Sequence, residues 1–484
     1  MQIPLILGSY ESRSLISEAQ RCINLYPERN PPDSPFPFTL YPTPGLSFIV
    51  TAPVVGPVRA LYTASNGACF AVVGNNVYLV TQSYGFVLLG QINSYTGFVS
   101  IKDNTLVCVI VDGTNKGFAI DLTSGTFTYG AISQTNWYAA NRVDYLDTYL
   151  LFSKTDGTGT FFTLSNVTYT MLTTGIGLDP LDVMKKTGGN DLTAGLAVMH
   201  REIWLIGTGT SEVWFDSGAS DFAFQAMPGA FVEHGCAAVG SIAKYDLALY
   251  WLGQDIYGNS VVYRGAQYNA APISTKAIDN EITSYSTKSD AIGFTYFQEG
   301  HAFYVLNFPS QDVTWVFDIA ENAWHKRAWI DSNGNLHRWR GNCACIFNNK
   351  ILVGDYQNGA LYNLDLDTYL DNGAPVVRIR SFPHMVNENK RLTHRNLIAA
   401  FEVGDEMVSS TKDTCSVSLR CSDDAGRSYG DAVIQTLGNT GHYHTSVQWN
   451  RLGMARDRVY ELSWSAPVKT ALSGVYVDLI GHET

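Results

Sequence analysis

The sequence predicts an all-β protein: a β-propeller of six or seven blades, with an extended Pro-rich N-terminal arm before it and a C-terminal β-sandwich-like domain after it. Three observations carry that reading. Short runs rich in aromatic and β-branched residues, bounded by Gly, Pro, Asn and Ser, recur along the chain and read as strands. Groups of three or four such runs repeat roughly every 45 residues, the size of one propeller blade. Beyond residue 384 the period is lost and the strand-like runs lengthen and gain charge.

The reference repeat is Ala291 to Trp329, reading AIGFTYFQEG, HAFYVLNFPS, QDVTWVFDIA, ENAWHKRAW. It holds three apolar runs and the start of a fourth, separated by turns. A lone four-stranded meander is marginal in water and needs neighbours to cover its faces. The composition supports such a stack. Of 484 residues 45% are apolar, 16% charged and 12% aromatic, against a usual charged share of about 25%. A large core under a weakly charged surface follows. With a net charge of −12 and no long cluster of Lys or Arg, tight phosphate binding is not expected to be the main role.

Taken in order, residues 1–55 form the arm. Pro27, Pro31, Pro32, Pro35, Pro37, Pro42, Pro44 and Pro53 fall close together, and proline removes backbone donors, so a regular sheet is not expected there. The arm still carries Ile23, Leu25, Tyr26, Phe36, Phe38, Leu40, Tyr41, Leu46 and Phe48, so it is expected to pack on its own propeller or on a neighbouring subunit. The N-terminus has too short an apolar segment and no basic stretch for a signal peptide, and no run reaches the length of a membrane span. Synthesis in a cytoplasm, without stable membrane insertion, is the expectation.

Residues 56–384 form the propeller. Unit one is VRALYTA, ACFAVVG, NVYLVT, FVLLGQI, with a hairpin turn at Asn75-Asn76. Unit two is GFVSIKD, TLVCVIVDG, KGFAIDL, GTFTYGAI. Unit three is NRVDYLDTYLLFSK, TGTFFTLS, NVTYTML. Unit four is AGLAVMH, REIWLIGT, TSEVWFDS, FAFQAMP, and unit five is GSIAKYDLALYWLG, SVVYRG, QYNAAPI. Unit six is the reference repeat. Unit seven is CACIFNN, KILVGDY, GALYNLDL, with VVRIRSF as its last strand. Ring closure by a strand from a distant part of the chain leaves the count between six and seven. After unit five, Ile278, Ile282 and Tyr285 stand at helical spacing and predict a short helix on the rim. Residues 385–484 are read as the separate sandwich-like domain.

Few constellations point to chemistry. Ser422, Asp424, Gly426 and Tyr429 fit an Asp-box-like pattern, in which the carboxylate accepts hydrogen bonds across a hairpin, glycine takes a positive φ and the aromatic ring packs beneath. This is read as a structural turn. Propeller glycosidases of the sialidase kind need an arginine cluster, a tyrosine nucleophile and a carboxylate partner. Arg59, Arg142, Arg201, Arg264, Arg378 and Arg380 are scattered over different units, so catalysis is not expected. His442 and His444 are two apart on a strand and share a face, but no third ligand stands nearby, and they read as structural or solvent-facing. His384 and His394 have no nameable partners. Gly207 to Ser211 lacks the lysine and helix of a phosphate loop and reads as a hairpin. The eight cysteines, Cys22, Cys69, Cys108, Cys236, Cys343, Cys345, Cys415 and Cys421, contain no CxxC pair and read as small buried hydrophobes in a reducing compartment. No cofactor and no metal is called for.

RCINLYPE followed by YPTPGL, GPVRALY with its Gly74 to Leu79 hairpin, GTSEVWFDSG, and WNRLGMARDRVYELSWSAPVKTALSGVYVDL together resemble one family. It is that of the packaged-DNA stabilisation, or tail nozzle (hub), proteins of short-tailed bacteriophages, and the resemblance spans nearly the whole chain. It implies a structural virion protein and no enzyme. It implies a homohexameric ring below the portal and the tail adaptor, extending the DNA channel. Packaged DNA would be held with a central needle or plug, and a tail fibre or spike would attach outside. Genomic DNA would pass through the lumen without sequence-specific binding, and an acidic wall would favour passage because tight binding needs basic groups. The competing reading is a peripheral tail protein that binds a receptor or glycan.

Overall fold

The computed structural model describes residues 1–5, 8–219, 222–255, 257–403, 415–438 and 444–482. Among these, each repeat forms one four-stranded antiparallel sheet, within residues 58–91, 100–131, 140–184, 193–232, 243–272 and 292–330. The last blade pairs Gly341–Phe347, Lys350–Asp355 and Ala360–Asp365 with the arm strand Gly45–Thr51. The ring therefore has seven blades, and the seventh is completed by a strand more than 300 residues earlier in the chain (Leu364 opposite Leu46). VVRIRSF is not its outer strand: Arg378–Ser381 pairs instead with Cys22–Ile23 and Asp457–Trp464.

Seven apolar cores lie between successive blades, and each is built from the alternating faces of two sheets. Val58, Leu61, Ala71, Leu352 and Leu361 fill the space between blades seven and one. Val305, Val316, Val353, Tyr362 and Leu46 fill that between six and seven. Tight hairpins hold the registers. Asn348 and Asn349 both take positive φ (49° and 57°), as a two-residue turn between twisted strands requires. In blade one the turn sits at Gly74-Asn75, one residue before the expected position, because Asn76 already pairs with Val73.

The third unit departs from expectation. NVTYTML is not a strand: Tyr169–Thr174 is helical, with the Thr168 hydroxyl accepting from the Met171 amide and Gly175 closing the helix at φ 94°. The fourth strand is Val183–Met184, from the loop that follows. The expected rim helix is Lys276–Ser284, capped by Thr275, with Ile278 and Ile282 buried.

The arm is more regular than its prolines suggest. Leu25–Arg29 and Phe38–Pro42 form a hairpin that joins a sheet with His444–Asn450, Leu392–Val403 and Thr470–Gly481. Pro27 is tolerated because Leu25–Arg29 is the edge strand. The facing sheet contains Arg378–Ser381, Asp457–Trp464, Ser416–Ser422 and Val433–Thr436. Between the two lies one core, to which the arm contributes Ile3, Leu5, Cys22, Leu25, Phe38 and Leu40. This second sheet is continuous with blade six, because Cys22–Ile23 bridges Ala323–Ile330 and Arg378–Ser381. Propeller and sandwich thus share one hydrogen-bonded sheet.

Candidate functional site: the junction of arm, blade six and sandwich

A set of buried polar groups sits where that shared sheet crosses between the two units. Asn24 lies just beyond the bridging strand at φ 56°, a conformation asparagine tolerates better than most residues. Its amide nitrogen donates to the carbonyls of Ala328 (2.8 Å) and Val377 (2.7 Å), and its Oδ1 accepts from the Ala328 amide (3.0 Å). One buried side chain therefore ties the arm to blade six and to the segment entering the sandwich.

Glu461 is fully buried and accepts from Arg21 of the arm, from Arg420 and from the Ser381 hydroxyl (2.8 Å). The two arginines flank the Tyr429 ring, at 5.4 and 5.3 Å from its centroid. Tyr429 ends the Asp-box-like turn between Ser416–Ser422 and Val433–Thr436. There Asp424 accepts from the Ser422 hydroxyl (2.7 Å), the Ser428 amide (2.9 Å) and the Ser428 hydroxyl (2.6 Å), and the Gly426 amide donates to the Ser422 hydroxyl (2.8 Å). Those bonds, led by the Ser428 hydroxyl, hold the Asp424 carboxyl well below its ordinary range. Gly426 takes φ 82°, and a side chain there would meet Ala19 at 2.9 Å. The turn thus lies against the arm.

Arg378 and Arg380 alternate on one strand, fully buried, and among the described residues their hydrogen bonds run to carbonyls and an amide side chain. Arg378 donates to the Ala466 carbonyl, and Arg380 to the Gly8 carbonyl and the Gln20 side chain, at 2.8 to 2.9 Å. Burial pushes Arg378 down to about 10. His384, whose partners the sequence did not reveal, bonds Asp457 (2.7 Å) and the Leu15 carbonyl (2.8 Å). His394 accepts from the Tyr460 hydroxyl (2.6 Å) inside the sandwich. His444 opens an exposed strand end, and His442 lies outside the described residues.

The propeller axis is the second concave feature. At one mouth a cavity of about 620 Å³ is lined by residues including Arg59, Asn141, Asp290, Arg338, Asn342 and Tyr356. Arg59 spends its donors on the carbonyls of Gly74, Ser94, Thr96 and Gly97 and on the Ser94 hydroxyl. Arg142 donates to the carbonyls of Val239 and Ile242. These arginines, brought together by the ring, cross-brace loops and do not form a free carboxylate clamp. At the Gly207 to Ser211 hairpin, the amides of Gly209 and Thr210 donate to Asp191, which also pairs with Lys186 at 2.6 Å. The chain's own carboxylate fills the place a phosphate would take.

The junction can transmit force and hold two units in one orientation. Its sequence signal was the asparagine in RCINLYPE, a residue type favoured at positive φ. The pairing of Arg21 with Glu461 had no sequence signal.

No curated protein sequence matches the chain significantly. Among solved structures, the WD40 propeller domain of Doa1 is 8% identical, with a TM-score of 0.39, over 66% of this chain and 96% of that one. PorZ of Porphyromonas gingivalis, a surface component of a type-IX secretion system, is 11% identical, with a TM-score of 0.37, over 66% of this chain and 38% of that one. Two family models match. "Bacteriophage P22 Gp10, beta-propeller" covers residues 1–369, and "Bacteriophage P22 Gp10, beta-sandwich" covers residues 378–479. The propeller model takes in the arm with the blades, as the closure of blade seven by Gly45–Thr51 demands. The chain belongs to the family of bacteriophage P22 Gp10, the tail nozzle and packaged-DNA stabilisation proteins of short-tailed phages.

Proposed function

We propose that six copies of this chain form a ring below the portal and the tail adaptor, extend the DNA channel, help retain the packaged genome and let it exit on infection. A central needle or plug closes the far end, and a fibre or spike attaches to the outside. Assembly takes place in the host cytoplasm, and the mature protein is part of the virion. The observation that supports this most is the single sheet running from blade six through Cys22–Ile23 into the sandwich. A tube wall under the pressure of packaged DNA needs subunits that do not hinge, and a shared hydrogen-bond ladder resists hinging better than a linker does.

The net charge of −12 supports passage of DNA without adhesion. Among the described residues no helix is long and apolar enough to cross a membrane. Electron microscopy of the purified chain, alone and mixed with tail-less capsids bearing a portal, tests the reading. A six-fold ring at the portal vertex is expected. A chain found only at the tail periphery would overturn it in favour of receptor or glycan binding. A ring whose lumen carries a basic potential would overturn the passage argument.

A further inference from the structure

Blades seven and one meet at a seam with no covalent bond across it apart from the chain leading out of the closing strand. Cys69 begins the second strand of blade one, opposite Thr63. Cys345 lies in the innermost strand of blade seven, opposite Leu352. Their sulfurs are 3.8 Å apart across the seam, although the residues are 276 positions apart in sequence. Both belong to the apolar cluster between the two blades. Cys69 is fully buried, whereas Cys345 is partly open to solvent. A third thiol, Cys343, is turned toward the Val58 carbonyl (3.6 Å).

The geometry points to a redox modification site: Cys69 and Cys345 form a reversible disulfide that staples the first blade to the last. Bond formation needs the sulfurs about 1.8 Å closer, a movement two χ1 rotations can share. The polarity of the pair suits the chemistry. The hydrogen bond between the two thiols lowers Cys345 and raises Cys69. The more acidic and more accessible sulfur is therefore the one an oxidant meets first. With a small-molecule disulfide such as oxidised glutathione, the Cys345 thiolate attacks one sulfur and releases one glutathione thiolate. Cys69 then loses its proton, attacks the Cys345 sulfur of the mixed disulfide, and releases the second glutathione. Two protein thiols lose two electrons and two protons, and one oxidised glutathione becomes two reduced molecules.

The chemistry stands on the two thiols alone, and only its timing draws on the virion reading. A chain that folds in a reducing cytosol and ends in a particle outside the cell meets oxidant after assembly. The staple then closes once the ring is built.

The test is native full-length protein equilibrated in oxidised glutathione, alkylated, digested and mapped by mass spectrometry, with thermal unfolding in parallel. A Cys69–Cys345 cross-linked peptide is expected, with the unfolding midpoint raised by about 5 °C and restored by reductant. Cys345→Ser, at the partly open position, should remove both peptide and shift. C69S, at the buried position, should remove the peptide too. Free Cys69 and Cys345 after equilibration, a link to Cys343 instead, or an unchanged shift in C345S would each overturn the proposal. Comparing released particles with protein alkylated inside infected cells tests the timing separately: equal cross-linking in both would refute the timing and leave the site standing.

Discussion

Replacing Asn24 by alanine tests the junction most directly. The side chain makes three hydrogen bonds, to Ala328 twice and to Val377 once, at 2.7 to 3.0 Å, and the residue is 2% exposed. Each bond contributes about 1 kcal/mol net, and unpaired buried partners raise the loss. Alanine would also have to hold φ 56°, which adds about 1 kcal/mol. The expected loss is thus about 4 kcal/mol. Urea unfolding followed by tryptophan fluorescence reads it, because Trp329 adjoins Ala328 on the same strand. Asn24→Asp separates hydrogen bonding from shape. It has nearly the same outline, but at pH 7 it sets carboxylate oxygens against the two carbonyls that Asn24 donates to. It should be at least as unstable as N24A. The reasoning is refuted if N24D matches wild type, or if N24A loses less than about 1 kcal/mol.

Three further outcomes follow from other parts of the fold. Gly45→Ala places a Cβ 2.2 Å from the Thr368 carbonyl oxygen and 2.5 Å from that of Leu370. The closing strand must shift, so hydrogen exchange should accelerate at Ala360–Asp365 ahead of the other blades. In the sandwich, burial beside Arg458 pulls His394 down to about 4. A lowered histidine stabilises above its unfolded value of about 6.5 and loses that contribution as pH falls toward 4. Wild type should therefore weaken between pH 6.5 and 4, and His394→Gln should show a shallower slope in urea titrations across that range. Asp424→Ala should speed exchange of the Ser428 amide, which donates to that carboxylate, while leaving the global unfolding midpoint nearly unchanged because Asp424 and Ser428 are themselves exposed.

Some of the candidate site was legible in the residue order. The turn from Ser422 to Tyr429 is a local object, and its hydrogen bonds run between residues two to four apart. What that turn touches was not legible, because Tyr429 meets Arg21 only after the arm has crossed from the far end of the chain. Prolines misled for a related reason. A proline excludes a central strand but not an edge, and whether Leu25–Arg29 is an edge depends on the strands that assemble beside it. NVTYTML misled because its β-branched residues suit a strand, whereas the Thr168 and Gly175 caps decide for a helix.

Residue order alone is enough for the class of the protein: strand-sized apolar runs, tight Asn and Gly turns and a blade-length period dictate stacked meanders, since each lies within a few tens of residues. It also carried the family, through motifs spread along the chain. The tertiary structure alone decided that the blades number seven, that Gly45–Thr51 closes the ring, and that the arm supplies strands to the sandwich. It alone brought Cys69 to Cys345. The physical reason is that an open sheet edge presents the same N–H and C=O ladder to any strand. Which distant segment pairs with it is settled by the packing of whole faces, and a local pattern cannot express that.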